Sequence, residues 1–218
     1  MNNEDITPVE SEKKSSFNLK KEIFEWFYTI IIAIVIAFSI KAFLFDFVIV
    51  DGPSMHPTLV NGDRLIITKL GYEPKQQDIV VLDASYKDRE EYYSSLGKDN
   101  FFEKTVEYFK LPKGLKRIYY VKRIIALPGQ TVDLIDGKVH VAGALLEEEY
   151  YDGLTFAYDS LIEFPFTVSD DCVFVMGDNR PESKDSRSSY LGEVPYDAIA
   201  GKCVFRILPL KSFGLLKH

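Results

Sequence analysis

The alternation of apolar and polar positions beyond residue 46 is typical of short β-strands separated by turns. Asp136-Gly137, between two such runs, predicts a tight hairpin. The pattern therefore predicts a mainly β fold, with an antiparallel sheet or barrel-like arrangement. The predicted strands are Phe47–Val50, Arg64–Thr68, Asp78–Leu82, Ile118–Leu127, Thr131–Ile135, Lys138–Val141, Cys172–Met176 and Lys202–Ile207.

One stretch, Ala84–Arg117, interrupts the strand pattern. Phe102, Val106 and Phe109 recur there at helical spacing with charged residues between them, which predicts a short amphipathic helix. We interpret the stretch as a surface insertion with a small apolar contact of its own. The alternative is that its apolar positions contact lipid or a partner.

A single apolar segment precedes the strands. Trp26 to Ile40 carries no charged residue, and Lys41–Phe45 extends it to a helical length of about 30 Å, enough to cross a hydrocarbon core. Lys41 can extend its ammonium to the interface. We therefore predict a transmembrane helix over residues 26–45.

Two alternatives compete with this helix. The first is a cleaved signal peptide, with Ala37-Phe38-Ser39 as a loose cleavage site, but the apolar character continues past it. The second is a buried core helix, but the segment has no polar face.

The basic residues predict an orientation. Lys13, Lys14, Lys20 and Lys21 precede the segment, whereas Arg64 is the first basic residue after Lys41. This asymmetry places residues 1–25 in the cytoplasm as a tail, and residues 46–218 outside, with the insertion at 84–117.

Net charge and cysteine spacing argue against two classes of binding partner, nucleic acids and metal ions. The 218 residues carry a net charge of −7, which argues against a nucleic-acid partner, since phosphate binding needs clustered lysine and arginine. Cys172 and Cys203 lack metal-ligand spacing. We interpret them as small buried apolar side chains, with a disulfide as the alternative outside the cytoplasm.

Ser54 lies in a sharp turn within Gly52-Pro53-Ser54-Met55-His56-Pro57-Thr58-Leu59. Such a turn can expose the hydroxyl and direct backbone N–H groups at an oxyanion. Pro53 has no N–H, so the Ser54 N–H is the natural donor. Considered alone, Ser54 fits an ordinary turn serine better than a nucleophile.

Lys122 follows Tyr120-Val121 and precedes Ile124-Ile125 in an apolar strand, within a motif that ends Leu127-Pro128-Gly129. Burial there would lower its pKa and allow the neutral amine to act as a base. The alternative is an edge-strand lysine that faces water. A third motif, Gly177 to Arg187, predicts a structured loop in which Asp185 and Arg187 form an ion pair.

Taken together and in this order, the three motifs resemble those of bacterial type I signal peptidases, with Gly62-Asp63-Arg64 between the first two. The resemblance runs from the apolar segment to near the C-terminus, and the single short segment is similar to the Gram-positive branch. It implies a membrane-anchored Ser/Lys protease of signal-peptidase fold. Its partners would be secretory precursor proteins and membrane lipid. We expect no nucleic acid, no metal or cofactor, and a monomer.

The resemblance also implies roles. Ser54 would be the nucleophile and Lys122 the general base, with Ser183 hydrogen-bonded to Lys122, and Asp185 and Arg187 bracing the site. Side chains from three segments would line pockets for small substrate residues; they are Val48, Val50, Met55, Leu59, Tyr120 and Val121. Gly52 replaces a serine that helps bind the oxyanion in some members, so backbone donors must serve here.

Three rival hypotheses stay open. A non-catalytic relative would lose Ser54 or Lys122, and both are present. A self-cleaving, repressor-like Ser/Lys protease would need a soluble DNA-binding N-terminus in place of the apolar segment. An endoplasmic-reticulum type of signal peptidase would use histidine as its base; His56, two residues from Ser54, is the candidate.

Overall fold

The computed structural model describes residues 19–69, 71–159 and 161–216. The chain divides into two compact units, of which one ends at Ile40 and the other begins at Lys41. Lys13 and Lys14, on which the predicted orientation partly rests, lie outside the described residues, as does most of the predicted tail.

Helix α1 spans Leu19–Phe43, a length of about 37 Å. Its large apolar side chains are exposed, from Ile23 to Ile36. Within the described part of the chain, no helix meets the combined requirement of length and apolarity for crossing a membrane. The helix ends two residues before the predicted end at Phe45, because Phe45 already pairs with Thr68 in a β-strand.

The larger unit contains an antiparallel sheet of eight described strands. The strands are β1 Phe45–Ile49, β2 Arg64–Thr68, β3 Ile79–Asp83, β4 Tyr119–Ala126, β9 Cys172–Met176, β10 Val194–Pro195, β11 Ile199–Leu208 and β12 Gly214–Leu215. They pair in the order β1-β2-β11-β3-β4-β9-β10, with β12 added beside β11. Among these described strands, β1 and β10 lie at the ends of the order.

A second antiparallel sheet contains β5 Thr131–Ile135, β6 Lys138–Val141, β7 Ala144–Leu145 and β8 Phe166–Thr167. These strands pair in the order β7-β6-β5-β8. The predicted hairpin joins β5 to β6, with positive φ at both Asp136 and Gly137. Positive φ at both central residues characterises the type I′ turn, whose twist matches that of paired strands.

The mainly antiparallel β prediction is confirmed, and all eight predicted strands are present. The bounds of β2, β5, β6 and β9 match those predicted. The unpredicted strands β7, β8, β10 and β12 have two residues each, too few to show an alternating pattern.

The insertion between β3 and β4 contains two helices rather than the single one predicted. Helix α3, Phe101–Tyr108, falls on the predicted amphipathic pattern, and its first turn is capped by the Asn100 side chain. Helix α2, Tyr86–Ser95, is polar almost all round and therefore gave no periodic signal. An ion pair of 2.6 Å between buried Arg89 and Asp83 holds α2 to the end of β3. Phe101, Phe102 and Phe109 are exposed and do not supply the expected apolar contact, whereas Tyr93 and Leu111 of the insertion are buried.

Candidate active site

Ser54 lies in the turn that connects β1 to β2. The base of this turn is closed by backbone bonds of 2.9 Å from Val50 N to Asp63 O and from Gly62 N to Val50 O. The side chains of Met55 and Leu59 are fully buried in the core and anchor the turn to it. Ser54 itself is only half-buried, which leaves its hydroxyl within reach of a substrate.

Lys122 is the group that meets this hydroxyl. Its Nζ lies 2.9 Å from Ser54 Oγ and 3.0 Å from the Val121 carbonyl oxygen, and donates to both. The lysine is on β4 opposite Val80 of β3, and only 3% of it is exposed. Its Nζ also lies 5.2 Å from the centre of the Tyr120 ring.

Burial controls the protonation of Lys122. Desolvation lowers the pKa of Lys122 to about 8, although the negative charges of Asp185 and Asp178 act in the opposite direction. Arg187 lowers the pKa further. A useful fraction of the amine is therefore neutral near neutral pH, as a general base requires.

The loop after β9 holds the Ser54 turn from a second side. The Asn179 N–H donates to the Ser54 carbonyl oxygen at 3.0 Å, and Asn179 Nδ2 donates to the Pro53 carbonyl oxygen at 3.2 Å. Gly177 is buried where the two segments meet. A Cβ at this position would overlap the Ser54 carbonyl oxygen and the Ser183 hydroxyl.

A buried ion pair joins the same loop to β4. Arg123 Nε donates to Asp178 Oδ1 at 2.8 Å, and Arg123 Nη2 donates to Oδ2 at 2.6 Å. The Thr58 hydroxyl also donates to Asp178. The strand that carries Lys122 and the turn that carries Ser54 are thereby fixed to one carboxylate.

Asp185 and Arg187 form the expected ion pair inside the loop. Arg187 donates to both carboxylate oxygens of Asp185, at 2.8 and 2.9 Å, and both residues are buried. Asp185 also accepts the Gly177 N–H at 3.0 Å, and Arg187 donates to the Arg180 carbonyl oxygen at 2.7 Å. The pair therefore fixes the backbone that holds the Ser54 turn.

Ser183 differs from its expected arrangement. Its hydroxyl is buried and has no hydrogen-bond partner among the described residues. The expected bond to Lys122 is not formed, because Lys122 Nζ is directed at Ser54 and the Val121 carbonyl instead.

Sequence reasoning missed a cluster around Tyr150. The Arg123 guanidinium stacks on the Tyr150 ring, 3.9 Å from its centre, and Arg180 lies on the same ring at 6.0 Å. Arg180 also forms an ion pair with Glu148. Glu148 and Tyr150 belong to the run Glu147-Glu148-Glu149-Tyr150-Tyr151, which has no strand or helix period, so no local pattern marked them.

The predicted substrate-binding residues fall into two groups that differ in burial. Val48, Tyr120 and Val121 are half-buried, whereas Val50, Met55 and Leu59 are buried. Val48 and Val121 are half-buried and pack on the core cluster that contains Val50, Met55 and Leu59. Tyr120 packs against a different cluster. The second group of three, Val50, Met55 and Leu59, is too deeply buried to form more than the floor of a pocket.

The strand β4 offers a binding edge. It pairs with β3 from Tyr119 to Arg123, but with β9 only from Arg123 onward. From Tyr119 to Lys122 it therefore has one edge without a strand partner among the described residues. An extended peptide can add to such an edge through main-chain hydrogen bonds.

The remaining candidates lie apart from the chemistry. The His56 side chain is exposed and makes no hydrogen bond with Ser54 within the described structure. Cys172 and Cys203 are free thiols, so the alternative of a disulfide is not realised. Burial raises the pKa of Cys203 to about 12, in keeping with a small buried side chain.

The chain is similar to proteins of one known family. Residues 23–208 match the family model described as signal peptidase, peptidase S26. Signal peptidase I of Bacillus licheniformis is 35% identical over 93% of this chain and 97% of that protein. Signal peptidase I S of Bacillus subtilis strain 168 is 34% identical over 92% of this chain and 97% of that protein.

One similar protein has a solved structure. A signal peptidase I from Enterococcus faecalis V583 is 25% identical, with a TM-score of 0.38, over 60% of this chain and 97% of that chain. The family match, over residues 23–208, covers nearly all of the larger unit and includes every motif of the site. The chain belongs to the signal peptidase family, peptidase S26, and is a serine endopeptidase of the type I signal peptidase class.

Proposed function

We propose that this chain is a membrane-anchored endopeptidase that removes N-terminal signal peptides from exported precursors with a Ser54–Lys122 dyad. The observation that carries the proposal is the 2.9 Å approach of Lys122 Nζ to Ser54 Oγ at a buried position. Desolvation supplies the lowered pKa that a lysine base needs.

In the proposed mechanism, neutral Lys122 accepts the Ser54 proton while Ser54 Oγ attacks the scissile carbonyl. The Ser54 N–H stabilises the resulting oxyanion. Protonated Lys122 then gives its proton to the leaving amine, and the mature protein departs from an acyl-enzyme. Lys122 activates a water molecule, whose attack on the ester releases the signal peptide and restores the Ser54 hydroxyl.

The substrate binds extended along the open edge of β4, from Tyr119 to Lys122. Alternate side chains of an extended chain point to the same side, so the −1 and −3 residues share one face. That face would meet Val48 and Val121 above the buried core cluster. A pocket with so filled a floor favours small residues, as in an Ala-x-Ala motif.

The expected preference for small residues at −1 can be measured by cleavage of a precursor peptide with mass-identified products. Replacing the −1 alanine by phenylalanine is expected to lower kcat/KM by at least roughly 10²-fold, because the larger ring has no space. The same substitution at −2 is the matched control, and it should change kcat/KM by only a few-fold, since this side chain points away. Equal effects at −1 and −2 would contradict extended binding on β4.

The pH dependence tests the base. A base must be neutral, so kcat/KM is expected to rise with pH and level off above about 8, where Lys122 loses its proton. Below about pH 7 the decline should approach tenfold for each pH unit. A kcat/KM that stays constant down to about pH 5 would rule out Lys122 as the base.

We also propose that α1 is the membrane anchor, with the N-terminus in the cytoplasm and the catalytic unit outside. The support is its length of 25 residues, its exposed apolar side chains from Ile23 to Ile36, and the absence of charge from Trp26 to Ile40. Lys20 and Lys21 precede that stretch on the proposed cytoplasmic side.

A further inference from the structure

Helix α3 in the insertion has its apolar face turned outward. Phe101 is 86% exposed, Phe102 75%, Val106 44% and Phe109 79%. Phe102, Val106 and Phe109 follow one another at spacings of four and three, which places them on one side of the helix, and Phe101 directly precedes Phe102. Three phenylalanines exposed within nine residues are unusual on a surface that contacts only water. Exposed apolar patches of this kind mark interaction sites.

The opposite side of α3 is polar and faces the rest of the insertion. Lys104 forms a 2.6 Å ion pair with Glu90 of α2, and its Nζ lies 5.8 Å from the centre of the Tyr93 ring. The Tyr108 ring lies 5.7 Å from the Arg117 guanidinium. Polar contacts therefore fix the helix with its phenylalanines outward, which is the reverse of an ordinary surface helix.

A basic stretch follows the helix. Residues 110–117 contain Lys110, Lys113, Lys116 and Arg117 and no acidic residue, although the whole chain carries a net charge of −7. Lys113 and Lys116 are exposed. Four positive charges thus directly follow the exposed phenylalanines along the chain.

We propose that this surface, formed by Phe101, Phe102, Val106 and Phe109 with the lysines at 113 and 116, docks onto an anionic lipid bilayer. Aromatic side chains would enter the headgroup region while the lysines meet anionic headgroups. A second copy of the chain fits less well, because a symmetric contact would bring two basic stretches together. The surface would provide a membrane contact in the catalytic unit that is separate from α1.

The test uses the full chain in nanodiscs whose acyl chains are brominated. Phe102→Trp in a Trp26→Phe background places the sole tryptophan on the surface, and Phe109→Trp gives a second reporter on the same face. The matched control is Leu145→Trp in the same background, since Leu145 is an exposed apolar residue on β7. With phosphatidylglycerol present, we expect quenching at positions 102 and 109 to exceed that at 145 by at least about twofold.

The contribution of charge to lipid contact is tested separately. Omitting phosphatidylglycerol, adding salt, or introducing Lys113→Gln with Lys116→Gln should each reduce quenching at position 102, since each weakens the attraction to anionic lipid. Quenching at 102 and 109 no stronger than at 145 overturns the proposal, as does burial of the reporters that grows with protein concentration in detergent, which would indicate self-association.

The proposal rests on the proposed function only in that the catalytic unit works beside a bilayer. Cleavage of a short soluble peptide in detergent depends on Ser54 and Lys122 and not on docking, so it reports the dyad alone. Peptide cleavage without selective quenching would contradict the docking surface and support the proposed protease chemistry. Selective quenching without peptide cleavage supports the docking surface and counts against the proposed chemistry.

Discussion

Replacing Lys122 by methionine is expected to lower kcat/KM for precursor cleavage by at least about 10³-fold. Without the amine, no described group accepts the Ser54 proton, and Ser54 Oγ remains a weak nucleophile. Methionine has a similar length and no charge, so it can occupy the buried position with little change in packing. The measurement is precursor cleavage with mass-identified products, beside thermal unfolding of both proteins.

His56→Gln is the control for this experiment, because His56 is the rival base and its side chain is exposed. It should retain wild-type cleavage within a few-fold, whereas Ser54→Ala should be as inactive as Lys122→Met. Persistent cleavage by Lys122→Met together with loss in His56→Gln would transfer the base to His56. Failure of the wild type on a competent precursor would instead favour the non-catalytic hypothesis.

The two central residues of the site could be predicted because each lies in a segment whose local chemistry is unusual. Ser54 follows a glycine and a proline in a turn, and Lys122 interrupts an apolar strand. Neither segment alone distinguishes a catalytic group from a turn serine or an edge lysine. The resemblance of the three motifs to those of type I signal peptidases implied the pair. The fold brings the two side chains to 2.9 Å although 68 positions separate them.

Other features depend on contacts that no local pattern records. The Tyr150 ring lies near both Arg123 and Arg180 because the irregular segment after β7 folds back against the loop after β9. Helix α2 is held by the buried Arg89–Asp83 pair rather than by an apolar stripe. The period of α3 was visible in the sequence, but its orientation was not, since polar contacts with α2 decide which face is exposed.

Replacing Gly177 by alanine is expected to lower kcat by roughly 10²-fold, because it would displace the nucleophile. The new Cβ would overlap the Ser54 carbonyl oxygen, which is backbone and is held by the Asn179 N–H at 3.0 Å. Either the Ser54 turn or the Gly177 loop must move, and a shift of about 1 Å is enough to misalign an attack. Cleavage kinetics with kcat and KM resolved, beside thermal unfolding, measure the effect.

Gly114→Ala is the matched control, because a Cβ at Gly114 meets no atom within 4 Å and the residue is exposed. It should cleave and unfold like the wild type. Adding Ser183→Gly to Gly177→Ala removes the second overlap, with the Ser183 hydroxyl and its Cβ, but leaves the one with the Ser54 carbonyl. The double variant should therefore recover part of the thermal stability while kcat stays low. Recovery of kcat with stability would show that Ser183, and not the Ser54 carbonyl, limits what position 177 can hold.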